Sequence, residues 1–320
     1  MVDESWPMIE QAVFRLFDET AGKHTAIGPR LAELGWSDIQ AEYPIPAWEL
    51  LFRAQGRSLA QTDCLDRLML AELAPLLDEP VDGIVLPDLA AADEPGSERD
   101  RVTGIVLGQP EGRLVVPVPG PLDTMSVGIV DARRLHGDRL NTFDPSVRWT
   151  RVGGPLDGML RDASTEWDRA IAGAHRALAT ELVAVADEVM RIAVSHAVVR
   201  VQFGSPIGSF QAPRHALAEA AAVVEGARAL VAESWRAGRL AAQAAKAAAG
   251  RAHRTASDVA LQLCGAIGLT AEHQLHRYVA RGFQIDSLCG SYRQLEALLV
   301  DQLFEEVSAE RPLQTAVTWS

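Results

Sequence analysis

Positive charge is scarce in this sequence. Its 320 residues carry 30 Lys and Arg against 43 Asp and Glu, which gives a formal net charge of −13. A surface that binds nucleic acid or an anionic membrane needs clustered Lys and Arg side chains. We therefore expect neither nucleic acid nor a membrane among the binding partners.

Cysteine and long apolar runs are also scarce. The three cysteines, Cys64, Cys264 and Cys289, are odd in number and scattered, so we expect a reducing compartment and no disulfide framework. No apolar run reaches the roughly 18 residues of a membrane span, and the N-terminus lacks a basic-then-apolar secretion signal. The sequence predicts a soluble cytoplasmic protein.

Hydrophobic spacing changes twice along the chain. Residues 5–77 show helical spacing, and Ile9, Val13, Leu16 and Phe17 share one predicted helix face. From about residue 80, short β-branched runs are separated by Gly, Pro and Asp, as in small β domains. The predicted strands are Ile84–Leu86, Val102–Leu107, Leu114–Val118, Met125–Val130 and Val147–Val152.

From about residue 162, helical spacing returns and continues nearly to the end of the chain. We predict a mainly α fold with a small β domain. The expected divisions are a shortened N-terminal helical domain at residues 1–79, a middle β domain at 80–155 and a C-terminal helical bundle at 156–320.

One short segment separates two long predicted helices. It begins at Arg200 and ends at Gln211, with Gly204, Pro206 and Gly208 in its middle. These breakers force a turn, and Ser209 or Gly208 is the expected cap of the second helix. The cation of Arg200, the amide of Gln202 and the aromatic ring of Phe203 then lie beside a helix N-terminus, which favours anions. The segment is therefore a candidate phosphate or pyrophosphate site.

The pattern Arg-x-x-Phe-Gly-x-x-Ile-x-x-Phe-Gln in this segment resembles a signature of the acyl-CoA dehydrogenase C-terminal domain. A second match, Gln-Leu-Cys-Gly-Ala-Ile-Gly-Leu at residues 262–269, resembles the family's Gln-x-x-Gly-Gly-x-Gly-aromatic segment. The resemblance covers about residues 160–290. It implies an N-terminal helical domain, a middle β-barrel and a C-terminal four-helix bundle.

The same resemblance implies an FAD site shared with a neighbouring subunit. The implied FAD-binding residues are Arg200, Gln202, Phe203, Phe210, Gln211, Gln262, Gly265, Ala266 and Gly268. Arg200 would bind the pyrophosphate because its planar fork suits phosphate oxygens. Ala266 stands where the family most often has glycine, and Leu269 replaces its aromatic residue. The alternative is that these residues have structural roles only. Arg200 would then be a cation at a helix C-terminus, Phe203 a core residue, and residues 262–268 a helix cap and turn.

The family's catalytic base is missing from both of its usual places. The family removes a proton α to a thioester carbonyl with a Glu carboxylate while the flavin accepts hydride. The common position, 27 residues after Gln262, holds Cys289, and the less common one, 26 residues before Arg200, holds Ala174. Asp286 is a nearby carboxylate in sequence, and we expect it to be a solvated helix-end charge.

Two further patterns point away from independent activity or a metal. The segment at residues 87–97 keeps only fragments of the family's flavin-binding sequence, and no Trp-Ile-Thr counterpart is evident. His273 and His276 have metal-ligand spacing on a helix, but no third ligand is close in sequence. We therefore predict no metal site.

The retained and lost motifs together resemble the shortened, non-catalytic subunit of a bacterial heteromeric (α2β2) steroid side-chain acyl-CoA dehydrogenase. The implied partners are a full-length acyl-CoA dehydrogenase subunit, an acyl-CoA substrate bound through it, and electron-transfer flavoprotein as electron acceptor. Two alternatives stay open: a self-sufficient homo-oligomeric dehydrogenase with an unusual base, and a flavin-free scaffold or acyl-CoA-binding protein.

Overall fold

A computed structural model describes residues 5–22, 24–87 and 97–308. The α-helices of these residues are α1 Trp6–Thr20, α2 Gly28–Glu33, α3 Trp36–Glu42, α4 Pro44–Ser58, α5 Cys64–Leu73, α6 Ser164–Val199, α7 Gln211–Ser234, α8 Arg239–Cys264, α9 Leu275–Asp286 and α10 Tyr292–Ser308. None of them is long and apolar enough to cross a membrane.

The strands of the same residues are β1 His24–Thr25, β2 Gln61–Thr62, β3 Gly83–Ile84, β4 Arg101–Val106, β5 Arg113–Pro119, β6 Met125–Asp131, β7 His136–Arg139, β8 Thr150–Pro155, β9 Arg161–Asp162, β10 Val201–Gln202 and β11 Ser205–Pro206. The predicted mixture of many helices and a small β region is confirmed.

The chain divides into two compact units. The first comprises Met1–Leu51 and Ala60–Ala174, and the second comprises Phe52–Leu59 and His175–Ser320. Helices α4 and α6 each supply residues to both units. The division into three domains at residues 79 and 155 stays a prediction.

The first unit begins with the predicted amphipathic helix. Val13, Leu16 and Phe17 are buried in α1, as the helical spacing requires. Asp63 immediately precedes α5, but its side chain does not cap that helix. Its Oδ1 accepts a hydrogen bond from the Ile27 amide at 2.7 Å instead.

The β region of the first unit forms two larger sheets, ordered β3-β5-β6-β9 and β4-β8-β7. β5 pairs antiparallel with β6 and parallel with β3, so it lies inside its sheet. This position explains the continuous apolar run Leu114–Val118, which is buried. The described strands leave both sheets open, so the expected closed barrel is wrong for the described residues. Strands β7 and β9 were not predicted, since their residues are mostly polar and exposed.

The second unit is helical. α8 packs against α7, α9 and α10. Its buried face consists largely of alanine, which lets neighbouring helices approach closely. α6 is held to this group by Arg176, whose guanidinium donates to the carbonyl oxygens of Ser234 and Ala237 at 2.7 and 2.8 Å.

Candidate functional site

The segment between α6 and α7 is a tight hairpin. β10 pairs with β11, and Phe203 and Gly204 form its two-residue loop. Both loop residues have positive φ, 52° and 81°, as in a type I′ turn. A left-handed conformation is routine for Gly204 but costs Phe203 about 1 kcal/mol. The Phe203 side chain is nevertheless 95% exposed, so no burial of the ring offsets this cost within the described chain.

The start of α7 leaves backbone donors available. Ser209 donates its hydroxyl to the Pro206 carbonyl at 2.7 Å, so the predicted cap is wrong. The N-cap position is Phe210, and no side chain caps the helix. The first-turn amides of Gln211 and Ala212 are consequently open to an anion, whereas Pro213 has no amide hydrogen.

An open, mainly apolar groove of about 730 Å³ lies between α7, α8 and the hairpin. Its lining residues are Gln202, Phe203, Ile207, Phe210, Ala212, Pro213, Ala216, Asp258, Val259, Gln262 and Leu263. Four of the predicted FAD-binding residues, from both sequence motifs, therefore meet at one surface: Gln202, Phe203, Phe210 and Gln262. The rings of Phe203 and Phe210 meet edge to face with centroids 6.3 Å apart.

The other predicted FAD-binding residues do not line this groove: Arg200, Gln211, Gly265, Ala266 and Gly268. Arg200 and Gln211 are exposed at its hairpin end. Arg200 makes no ion pair with any residue that the structure describes. Its backbone is held, because the Ile207 amide donates to the Arg200 carbonyl at 2.8 Å. Residues 200–212, which connect α6 to the first turn of α7, are called the α6–α7 corner below. This corner offers the unpaired cation of Arg200 on a main chain that a hydrogen bond holds in place.

The glycines after α8 serve two different purposes. Gly265 ends α8 with φ 63° and has no heavy atom within 4 Å of where a Cβ would lie, so its backbone is open. Gly268 is buried, and a Cβ there would lie 2.9 Å from the Cys264 Cβ. Close packing therefore accounts for Gly268, while exposure suits Gly265 and Ala266 for contact with a ligand.

The position of the family base is a half-buried loop that several hydrogen bonds hold. Cys289 has φ 54°, and Gly290 follows it with φ 95°. Burial raises the pKa of the Cys289 thiol to about 11, although nearby Lys246 lowers it slightly. At pH 8 only about 0.1% of such a thiol is ionised. A thiolate base is thus disfavoured here.

Two buried side chains fix the carbonyls of this loop. Lys246 is fully buried in α8, and its Nζ donates to the carbonyl oxygens of Asp286 and Gly290 at 2.8 and 3.1 Å. His175 Nε2 lies 2.9 Å from the Cys289 carbonyl oxygen. Burial lowers the pKa of His175 to about 4, so the ring is neutral and donates this hydrogen bond.

Asp286 differs from its expected role as a solvated charge. It is buried, with Oδ1 3.4 Å from Lys246 Nζ and 3.2 Å from the Tyr292 amide nitrogen. Ala174, the other base position, is fully buried and has no group that could accept a proton. Among the described residues, neither family position carries a carboxylate.

Sequence reasoning missed Lys246 and His175. A single lysine among the alanines of α8 was the available signal, because an exposed helix face would carry several charged residues. The partners of Lys246 lie 40 and 44 residues further along the chain, so no local spacing reveals them.

Comparisons with known proteins identify the family of this chain. The family model described as "Acyl-CoA dehydrogenase, C-terminal domain" matches residues 170–287. Acyl-CoA dehydrogenase IpdE2 of Mycobacterium tuberculosis (strain ATCC 25618 / H37Rv) is 31% identical over 299 residues, covering 92% of this chain and 88% of the relative. The chain therefore belongs to the acyl-CoA dehydrogenase family, whose members bind FAD.

Two solved structures share the fold. A variant of the Tcur3481-Tcur3483 steroid ACAD aligns with a TM-score of 0.78 at 22% identity, covering 95% of this chain and 99% of that one. The ChsE4-ChsE5 complex from Mycobacterium tuberculosis aligns with a TM-score of 0.72 at 18% identity, covering 98% and 99%.

Proposed function

We propose that this chain is a non-catalytic subunit of an FAD-dependent acyl-CoA dehydrogenase and that it completes the FAD site of a full-length partner subunit. One observation carries the proposal. The groove and cation at the α6–α7 corner are exposed, whereas the family base position holds a thiol whose pKa is raised. The residues suited to bind a ligand are present, whereas the two family base positions carry no carboxylate to accept a proton.

The residues at the corner fit the nucleotide end of FAD. Arg200 and the open amides of Gln211 and Ala212 suit a pyrophosphate. The groove offers Phe203 and Phe210 as apolar surfaces for a ring system, with Gln202 and Gln262 as hydrogen-bonding groups. Asp258 is the one carboxylate among the described lining residues, and Arg254 Nε donates to it at 2.9 Å, which offsets its negative charge. FAD supplies the hydride acceptor of the family's reaction.

Two solved structures with this fold support a proposal for the partner and the substrate. The Tcur3481-Tcur3483 protein is a steroid ACAD, and ChsE4-ChsE5 is a complex of two named components. We propose by analogy an α2β2 hetero-oligomer that desaturates the CoA thioester of a steroid side chain and passes electrons to electron-transfer flavoprotein. All three cysteines are free, which supports a reducing, cytoplasmic setting.

The test is co-expression with a full-length acyl-CoA dehydrogenase from the same organism. We expect about one FAD per heterodimer and acyl-CoA-dependent flavin reduction only in the mixture. Arg200→Ala should lower the FAD content of the purified complex at least about tenfold, since it removes a phosphate-binding charge. Arg236→Ala removes an exposed arginine just after α7 and is the matched control.

Two outcomes would contradict this function. Stoichiometric FAD on this chain alone, with reduction by an acyl-CoA, would indicate a self-sufficient dehydrogenase. Loss of that reduction in Cys289→Ala would then identify an unusual base. An unchanged FAD content in the Arg200→Ala complex would indicate a scaffold that does not touch the flavin.

A further inference from the structure

Three metal-ligating side chains meet at the end of the helical unit where the two sequence motifs lie. His196 is in the last turn of α6, Cys264 is the last residue of α8, and His273 precedes α9. One ligand atom from each side chain lies within 4.8 Å of the other two. The sequence spacing of His273 and His276 did not show this, because His196 and Cys264 come from other helices.

The donor set has the chemistry of a zinc site. Two imidazoles and one thiolate are borderline-soft ligands, which suit Zn²⁺ and are unsuited to Mg²⁺ or Ca²⁺. Ligand atoms in a tetrahedral zinc site are about 3.5 Å apart, so small side-chain rotations would close the cluster. The imidazole rings of His196 and His273 meet edge to face with centroids 6.2 Å apart, and the Cys264 side chain beside them is buried. Three protein ligands would leave the fourth position for water or an anion.

The segment that carries His273 is held by its own hydrogen bonds. The Thr270 hydroxyl donates to the Ile267 carbonyl at 2.8 Å, and the His273 amide donates to the Thr270 carbonyl at 3.2 Å. His276 Nδ1 lies 2.6 Å from the His273 carbonyl oxygen. His276 therefore supports the main chain at His273 and stays outside the cluster.

One existing contact would be lost on metal binding. The Leu275 amide donates to Nδ1 of His273 at 3.3 Å. Metal at Nδ1 would displace that amide, and metal at Nε2 would place the ring proton on Nδ1. A hydrogen bond of this length is weak, so it opposes metal binding only slightly.

We propose that His196, Cys264 and His273 form a Zn²⁺ site that joins the ends of α6 and α8 to the segment before α9. Arg200 follows His196 by one helical turn, and its amide donates to the His196 carbonyl at 2.9 Å. Gly265 directly follows Cys264. A metal at this point would position both segments that line the proposed FAD corner. The site itself depends only on these three side chains and requires no flavin.

The full chain, prepared without a polyhistidine tag, provides the test. We expect it to retain about one equivalent of Zn²⁺ through gel filtration in metal-free buffer, measured by atomic emission. Replacement by Co²⁺ should produce thiolate-to-metal charge-transfer absorbance in the near ultraviolet, which Cys264→Ser abolishes. His273→Gln, a change at a half-buried position, should weaken Zn²⁺ affinity by about a hundredfold or more.

His276→Gln is the matched control, because it changes a neighbouring histidine outside the cluster. The proposal is wrong if the wild-type chain retains no Zn²⁺ and develops no Co²⁺–thiolate band. It is also wrong if His273→Gln and His276→Gln bind Zn²⁺ as tightly as the wild type. None of these readouts involves FAD, so failure here leaves the proposed dehydrogenase role standing, and loss of that role leaves the metal site standing.

Discussion

Two loops of the helical unit place a non-glycine residue in the left-handed region directly before a glycine. Phe203-Gly204 forms the hairpin loop, and Cys289-Gly290 stands at the family base position. Phe203 is 95% exposed, and its ring meets only the edge of the Phe210 ring among the ring contacts of the described residues. The Cys289 loop is held by Lys246 and His175.

The two loops differ in how the energetic cost of the left-handed residue is offset. A left-handed conformation at Cys289 is offset by the hydrogen bonds that buried side chains donate to the loop carbonyls. The Phe203 loop has no comparable support within the described chain. The proposed function assigns ligand binding to the exposed Phe203 loop and a packing role to the Cys289 loop.

Replacing Lys246 would test the Cys289 loop most severely. Lys246→Met should lower the free energy of unfolding by about 4 kcal/mol, because two loop carbonyls and the Asp286 carboxylate lose a buried cationic donor. Urea unfolding followed by circular dichroism measures this change. Arg251 lies on the same helix as Lys246, and Arg251→Met, which breaks its exposed pair with Glu296 of α10, should cost less than about 1 kcal/mol. Equal losses in the two variants would contradict the supporting role of Lys246.

The pH dependence of stability should report the neutral state of His175. Burial lowers its pKa to about 4, below the roughly 6.5 of an unfolded chain. As the pH falls through 6.5, the unfolded chain binds a proton that the folded chain does not, so stability is lost until about pH 4. This histidine should contribute a loss of about 3 kcal/mol between pH 7 and pH 4.

His175→Gln should remove that share of the pH dependence, measured by urea unfolding at several pH values. Burial also lowers the pKa of His253 to about 4, so His253 still contributes to the pH dependence of stability in the variant. His215→Gln, a change of an exposed histidine on α7, is the matched control. A slope unchanged by His175→Gln would mean that this ring is charged or accessible in the folded chain.

Packing around the same loop can be tested at a glycine. In Gly250→Ala the new Cβ would lie 2.2 Å from Asp286 Oδ1 and 2.8 Å from Tyr292 Cβ. We expect a loss of about 2 kcal/mol, because the hydrogen-bonded Asp286 has little room to move. Gly226→Ala, at an exposed site in α7 with no atom within 4 Å, should instead stabilise by about 1 kcal/mol. Thermal unfolding of the pair would show whether the signs are opposite.

The smallest effect should come from the exposed loop. Phe203→Asn should raise the free energy of unfolding by about 0.5–1 kcal/mol, because asparagine tolerates positive φ and little buried surface is lost. The same change should reduce FAD retention in the reconstituted complex. A variant that is less stable, with unchanged FAD retention, would show that Phe203 serves the fold of this chain.

Much of the helical architecture could be predicted from local spacing. The helical spacing that returns near residue 162 is observed as α6, Ser164–Val199, since apolar residues at helical spacing continue almost without breakers. The cap at Ser209 was wrong because its hydroxyl bonds to the Pro206 carbonyl. The barrel was inferred from family resemblance, and the described strands leave two open sheets. Residues 88–96, which hold most of the weakened flavin-binding segment, lie outside the described residues.

The sequence by itself determined the helical spacing, the turn at Gly204 and the two motifs that identify the family. These features depend on residues close together in the chain, where local sterics and hydrophobic period decide the conformation. Only the tertiary structure decided that Lys246 and His175 hold the Cys289 loop and that His196, Cys264 and His273 converge. Those contacts join residues far apart in sequence, and helix packing, which no local pattern encodes, brings them together.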